Sequence, residues 1–455
     1  MNPQVKNKLT VAARDTLLDR TQVREMMETL DGIAYDWIVP DGTDALDDLL
    51  YRGEADIALH EASSLPYPMY AELTLAALIK VPDKIESFAA ETLSFATHPL
   101  QGKFAVVCRA DRADLRGLFS RLDVRSSYGK VWLVGAGPGS GDLLTLRSQR
   151  VMAKADVVYC DDLVDESLLS LCGGECIYVG KRKGRASHKQ DAINEKLYRS
   201  ALEGKTVVRL KGGDPSIFGR AGEELEFLRR RCIPVETVPG ITAASAAAAA
   251  GRFSLTQRQV SNSATFLSAH GVDGCQTRLA EKETIVYYMA ASKLKEISAN
   301  LIREGVPPQT PVAGVNTAGA WNEACVSSTL EKMAGIAVPA PVLLVIGAVT
   351  ACARVETKAL FTGIDPGIVK VPEPVVHQPL MAERRPAPLD LSYFSAVIFT
   401  SPSTVEIFVE VYGGIPDHLL CYVSNDRTRR ALESIKVHPW RIVTCPVHTL
   451  GDARC

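Results

Sequence analysis

Val131-Trp-Leu-Val runs into Gly135-Ala-Gly-Pro-Gly-Ser-Gly-Asp142, Thr206-Val-Val-Arg-Leu into Lys211-Gly-Gly-Asp-Pro215, and Pro234-Val-Glu-Thr-Val into Pro239-Gly-Ile-Thr-Ala243. Each is a short β-like run that ends in glycine and proline and then opens a helix. In an α/β sheet such turns present backbone N–H groups at a crevice. One loop alone reads equally well as a tight turn without a ligand. The first loop is half of a dinucleotide fingerprint, but Ser140 stands where the third glycine belongs, which argues against a nicotinamide enzyme. Three loops of one pattern between Val131 and Ala243 read instead as a ligand cradle.

Outward from these loops the segments form a longer pattern. They are Val134-Gly-Ala-Gly-Pro-Gly, Leu143-Leu-Thr-Leu, Ala155-Asp-Val-Val-Tyr-Cys-Asp-Asp-Leu-Val164, Tyr178-Val-Gly-Lys-Arg-Lys-Gly184, Val208-Arg-Leu-Lys-Gly-Gly-Asp-Pro215 and Val238-Pro-Gly-Ile-Thr-Ala-Ala-Ser245. In this order they resemble the uroporphyrinogen-III C-methyltransferases, and the resemblance covers 130–355. It implies an α/β chain with a two-lobed tetrapyrrole methylase fold and flanking α/β domains. It also implies transfer of two methyl groups from S-adenosylmethionine to carbons 2 and 7 of uroporphyrinogen III. The products would be precorrin-2, on the way to sirohaem or cobalamin, and S-adenosylhomocysteine. Two other readings stay open: a C-methyltransferase acting later on the corrin ring, and a non-catalytic scaffold that channels tetrapyrroles.

The resemblance carries roles onto particular residues. Asp161 falls on the family's base and Lys181 on its proton donor. From spacing alone Asp162 competes with Asp161, although the register through Leu163-Val164 favours Asp161, and either aspartate could simply cap a helix. Cofactor positions fall on Pro138, Gly212, Gly213, Asp214, Ile217, Thr242, Ala243, Met289 and Ala318; Met289 also reads as core filler. Arg182, Lys183 and Arg185 lie in a basic run without an acid until Asp191, suited to the eight carboxylates of the substrate. Departures from the pattern fall on Ser140, Ser216, Ala221, Ser254, Gln257 and Ala318.

The flanks are weaker. Residues 1–125 read as an α/β unit in which Asp56-Ile-Ala-Leu-His-Glu-Ala-Ser-Ser-Leu-Pro66 resembles porphobilinogen deaminase. The family's catalytic aspartate falls on Ser64 and its neighbouring lysine on Ser63, so deaminase activity is not expected. Residues 363–388 carry six prolines and read as a stiff connector. Residues 389–455 resemble part of a uroporphyrinogen-III synthase through Ala396-Val-Ile-Phe-Thr-Ser-Pro-Ser-Thr404 and Asn425-Asp-Arg-Thr428. There Asn425 is expected to take the left-handed conformation of a glycine.

Composition bounds the rest. The chain has 455 residues and a net charge of −2, which supplies no global field for nucleic acid or membrane. The apolar runs at 241–250 and 338–353 fall short of the roughly 20 residues a spanning helix needs. Met1-Asn-Pro-Gln-Val-Lys-Asn-Lys has no secretory apolar core, and eleven scattered cysteines lack paired Cys-x-x-Cys knuckles. A cytoplasmic protein without a metal is expected, and the resemblance implies a homodimer.

Overall fold

The computed structural model describes residues 8–30, 33–41, 45–80, 100–161, 164–180, 190–270, 280, 282–353, 358–363, 375–377 and 388–444. The chain divides into two compact units, Met1–Gly137 with Leu144–Gly240, and Pro138–Leu143 with Ile241–Cys455. Among the described residues each unit contains two five-stranded sheets.

The first sheet of the first unit holds β1 (Lys8–Ala12), β2 (Ala34–Ile38), β3 (Ile57–Glu61), β4 (Leu73–Lys80) and β5 (Lys103–Arg109) in the order β2-β1-β3-β5-β4. β1 runs parallel to β2 and β3, while β5 is antiparallel to both its neighbours. Helix Leu17–Thr29 starts where Thr16 Oγ1 accepts from the Asp19 amide at 3.0 Å. It buries Val23, Met26, Met27 and the following Leu30, a three-four spacing that lays one stripe on Leu9, Val11, Ile57 and Leu59. Each such side chain contributes about 1.5–3 kcal/mol by leaving water.

The second sheet holds β6 (Val131–Gly135), β7 (Val157–Cys160), β8 (Glu175–Tyr178), β9 (Val207–Lys211) and β10 (Val235–Val238) in the order β10-β6-β9-β7-β8, parallel throughout. The three glycine loops leave the carboxyl ends of β6, β9 and β10, which are neighbours. That is where a parallel α/β sheet binds its ligands. Asp142 lies in a short turn over Gly141–Leu143, with its carboxylate on the Ser140 hydroxyl. The next helix is Leu146–Met152 and its cap is Thr145, whose Oγ1 accepts from the Ser148 amide at 3.1 Å.

In the second unit β11 (Ser263–Ser268), β12 (Glu283–Tyr288), β13 (Pro311–Asn316), β14 (Ala324–Thr329) and β15 (Val342–Ile346) form the order β11-β12-β15-β13-β14. β15 is antiparallel to β12 and β13, so the carboxyl ends of those two strands flank its start. Helix Leu294–Arg303 covers this sheet through Leu294, Ile297 and Leu301.

The last sheet is parallel: β16 (Lys358–Phe361), β17 (Val375–His377), β18 (Phe394–Phe399), β19 (Leu420–Val423) and β20 (Ile442–Thr444), in the order β17-β16-β18-β19-β20. Here the structure differs from the expected connector at 363–388. Val375–His377 is an edge strand of the sheet, and β16 joins it from before the proline run. An edge needs ladder bonds on one side only, which is why a strand can lie among prolines. Asn425 also differs from expectation. Its φ is −160°, and its side chain caps helix Asp426–Ser434 by accepting from the Thr428 amide at 2.9 Å. Among the described residues no helix is long and apolar enough to cross a membrane.

Candidate active site

In the first unit the three loops meet backbone to backbone. A Cβ on Gly240 would stand 2.3 Å from Gly213 O and 2.9 Å from Gly135 Cα, and one on Gly135 would stand 2.6 Å from Gly240 Cα. Glycine is therefore demanded at 135 and 240 by loop-on-loop contact. Gly137 and Gly213 have φ of 71° and 68° and exchange two hydrogen bonds, at 3.2 and 2.7 Å. Asp214 ties the loops together: Oδ1 accepts from the Ser216 amide at 2.7 Å and Oδ2 from the Gly240 amide at 3.0 Å. Gly212, Asp214 and Ile217 are half-buried in this loop.

Asp161 follows β7 directly. Its Oδ1 accepts from Arg209 Nη2 at 2.6 Å, and its side chain is 29% exposed against 3% for Arg209. Arg209 also donates from Nε to Glu224 Oε1 at 3.1 Å and from Nη1 to the carbonyls of Tyr159 and Leu210 at 3.3 and 3.2 Å. Glu224, fully buried, takes Lys211 Nζ on both oxygens at 3.0 and 2.9 Å and the Gln190 amide at 3.1 Å. Burial works against the Arg209 charge, but the carboxylates of Asp161 and Glu224 outweigh it and hold the group above its ordinary value. Burial, joined by the Arg209 charge, pulls Lys211 below its ordinary value despite Glu224. The result is a chain of alternating charge from Asp161 into the sheet.

This chain escaped the sequence reading. Its signal was Arg209 and Lys211, two residues apart in a strand whose five positions are all buried. Two cations on one face of a central strand require a buried acid, and helix Ala221–Arg229 supplies it at Glu224.

The second unit carries the other expected positions. Pro138 and Gly139 pack on the loop after β13: a Cβ on Gly319 would stand 2.4 Å from Pro138 Cγ, and the Ser140 amide donates to Gly319 O at 2.8 Å. Ala318 in that loop is buried. Thr242 opens helix Ala243–Ala250, and its hydroxyl lies 2.6 Å from the Tyr288 hydroxyl. Met289 follows Tyr288 with φ of 59° and is 47% exposed, so it is not core filler. Thr317, after β13, has φ of 42°. The amides of Ala290 and Thr317 donate to Val342 O and Pro341 O at 3.1 Å each, which places Met289 and Thr317 at the same end of the sheet, on either side of the start of β15. Left-handed conformations in non-glycine residues gather at functional sites.

Lys181, Arg182, Lys183, Arg185 and Asp162 lie outside the described residues. Among the described residues no group of three or more His, Cys, Asp or Glu is placed to hold a metal ion.

The family model for tetrapyrrole (corrin/porphyrin) methylases matches residues 130–334. A uroporphyrinogen-III C-methyltransferase of Pseudomonas aeruginosa is 45% identical over 231 residues, which are 49% of this chain and 94% of that protein. A siroheme synthase of Methylococcus capsulatus is 44% identical over 237 residues, 50% of each chain. The chain thus spans about half the length of the siroheme synthases it matches. A solved uroporphyrin-III C-methyltransferase of Thermus thermophilus, complexed with S-adenosylhomocysteine, is 39% identical and aligns over 49% of this chain and 99% of its own, with a TM-score of 0.45. With a complete methyltransferase matched almost end to end, the chain belongs to the family of tetrapyrrole methylases.

Proposed function

We propose that this chain is an S-adenosylmethionine-dependent C-methyltransferase that methylates carbons 2 and 7 of uroporphyrinogen III to give precorrin-2. The observation that carries the reading is 45% identity across 94% of a dedicated uroporphyrinogen-III C-methyltransferase. The loops fit a polar cofactor. Gly212 and Gly213 bring no Cβ, the Thr242 and Tyr288 hydroxyls form a polar pair, and each Asp214 oxygen that accepts one amide keeps a lone pair free.

When bound, S-adenosylmethionine supplies a methyl group on a sulfonium. A pyrrole carbon is electron-rich, so the new carbon–carbon bond forms as the carbon–sulfur bond breaks, and the protein's main task is alignment. The proposed holders are Gly212, Gly213, Asp214 and Ile217 in the first unit, and Pro138, Thr242, Ala243, Met289 and Ala318 in the second. Attack leaves a cationic ring that must lose a proton, and Asp161 is the proposed base. Its side chain is 29% exposed, and Arg209 Nη2 bonds Oδ1, which leaves Oδ2 without a hydrogen bond among the described residues. Lys181 is the proposed proton donor, and Arg182, Lys183 and Arg185 the proposed partners of substrate carboxylates. The same reading makes the protein a cytoplasmic homodimer, which sedimentation equilibrium tests for its oligomeric part.

The flanking sheets are assigned by the same reasoning to a deaminase-like domain over 1–125 and a partial synthase-like domain at the carboxyl end. Ser64 Oγ donates to Glu61 O at 2.9 Å, and a hydroxyl there cannot carry the charge of the missing aspartate. The deciding experiment is anaerobic incubation of the full chain with S-adenosylmethionine and uroporphyrinogen III, alongside Asp161→Ala. Precorrin-2 and two equivalents of S-adenosylhomocysteine from the wild type, and little from the variant, support the reading. Cofactor binding without turnover overturns it.

A further inference from the structure

Within the first unit lies a cavity of about 580 Å³ that the methyl-transfer reading does not use. One wall is the run after β3, from Ala62 to Met69, and the other is the turn Arg229–Pro234 between helix Ala221–Arg229 and β10. Its size is that of small-molecule sites, which favour junctions between two folded lobes. Its lining is chemically one-sided. Arg125, Arg229 and Arg230 enter it, and no carboxylate lines it among the described residues.

The three guanidinium groups are held differently. Arg125 is clamped by Asp123 at 2.7 Å and donates to Leu75 O at 3.0 Å, so its position is fixed. Arg230 pairs with Glu226 at 2.8 Å while its guanidinium carbon stands 5.0 Å from the centre of the Tyr67 ring. Arg229 has no ion pair or side-chain hydrogen bond among the described residues. A cation–aromatic stack beside an uncommitted guanidinium suits a flat anion: the ring plane offers stacking and the fork grips an acid group through two bonds. Cys232, also in the lining, is held at φ of 57°, a conformation that non-glycine residues keep where the surroundings impose it. Burial pushes its thiol up to about 11, so only a small share of it is thiolate at pH 8.5 and its alkylation is slow.

We propose that this cavity is a second ligand site that binds a flat organic anion bearing carboxylates, with Arg229 and Arg230 gripping the acid groups and Tyr67 stacking on the body. The site is independent of methyl transfer, and its occupancy can be read without turnover.

Cys232 provides the readout. The full-length protein is treated with N-ethylmaleimide at pH 8.5, with and without uroporphyrin as a flat polycarboxylate probe or inorganic phosphate as a compact anion. Labelling of Cys232 is followed by peptide mass spectrometry. Uroporphyrin should slow labelling of Cys232 at least threefold in the wild type and leave it unchanged in R229E/R230E, while phosphate should protect far less. The double variant should keep its urea midpoint and its methyl-transfer rate. Equal protection by phosphate overturns the flat-ligand claim, and protection that persists in the double variant, or is missing from the wild type, overturns the site.

Discussion

Arg209 Nη2 lies 2.6 Å from Asp161 Oδ1, a pair in which the cation is buried and the anion is partly open to solvent. The carboxylate proposed as the base is thus held by a buried guanidinium that is itself tied to Glu224. Arg209→Lys keeps a positive charge but loses the fork that reaches Asp161 and Glu224 together. The expected outcome is a fall in kcat of about 10–100-fold, within the range general-base catalysis supplies. Affinity for S-adenosylhomocysteine should change less than about twofold, because no cofactor contact is assigned to Arg209. Steady-state kinetics and a binding titration check both. A change in cofactor affinity at constant kcat would reduce Arg209 to a structural group.

Glu224 and Lys211 form the inner half of the same chain, and their replacements should differ. Glu224→Gln leaves two buried cations without their shared anion, and breaking a buried pair this way costs about 3–5 kcal/mol. Lys211→Met removes the cation that burial already opposes and leaves Glu224 facing Arg209, so the cost should be well below that figure. The sign of the pH effect follows. A lysine lowered in the folded state binds fewer protons there than in the unfolded chain, so stability rises with pH as it passes through the lowered value toward 10.5. Urea unfolding at alkaline pH should show this rise in the wild type and not in Lys211→Met.

The loops after β6, β9 and β10 were legible in the sequence because each joins a short β-like run to a turn rich in glycine and proline. Their adjacency was not, since strand order is a long-range property. Arg209 and Lys211 were hidden by the opposite effect. Charged residues normally argue for the surface, and only the acid fifteen residues on from Arg209 makes them buried. β14 is hard to read from sequence because Ala324-Cys-Val-Ser-Ser-Thr is half polar and pairs along one side only, with β13. Prolines on both sides of Val375–His377 concealed an edge strand. Asn425 was read as a glycine substitute, whereas a capping side chain explains it without a left-handed backbone.

Two glycines separated by eighteen positions make a paired test of the loop contact. Gly240→Ala would put its Cβ 2.3 Å from Gly213 O, so the loops must part; overpacking of this kind costs about 1–3 kcal/mol. Because the displaced loop carries Asp214, cofactor affinity should fall at least tenfold. Gly222 lies in helix Ala221–Arg229 with nothing within 4 Å of a new Cβ. Gly222→Ala should therefore stabilise by about 0.5–1 kcal/mol through helix propensity and leave activity unchanged. Denaturation and titration with S-adenosylhomocysteine separate the two outcomes.

Asn425 tests the difference between a cap and a turn. If its side chain serves helix Asp426–Ser434, as the 2.9 Å bond to the Thr428 amide indicates, Asn425→Ala should cost about 1 kcal/mol, whereas Asn425→Asp should cost little. Asn425→Gly separates the possibilities further. A left-handed position would be relieved by glycine, but φ of −160° gives glycine no advantage, and only the lost hydrogen bond and the added chain freedom remain. Glycine should therefore destabilise modestly, by a few tenths of a kcal/mol as at other helix starts. Thermal or urea unfolding of the three variants ranks them, and a glycine variant more stable than the wild type would restore the turn.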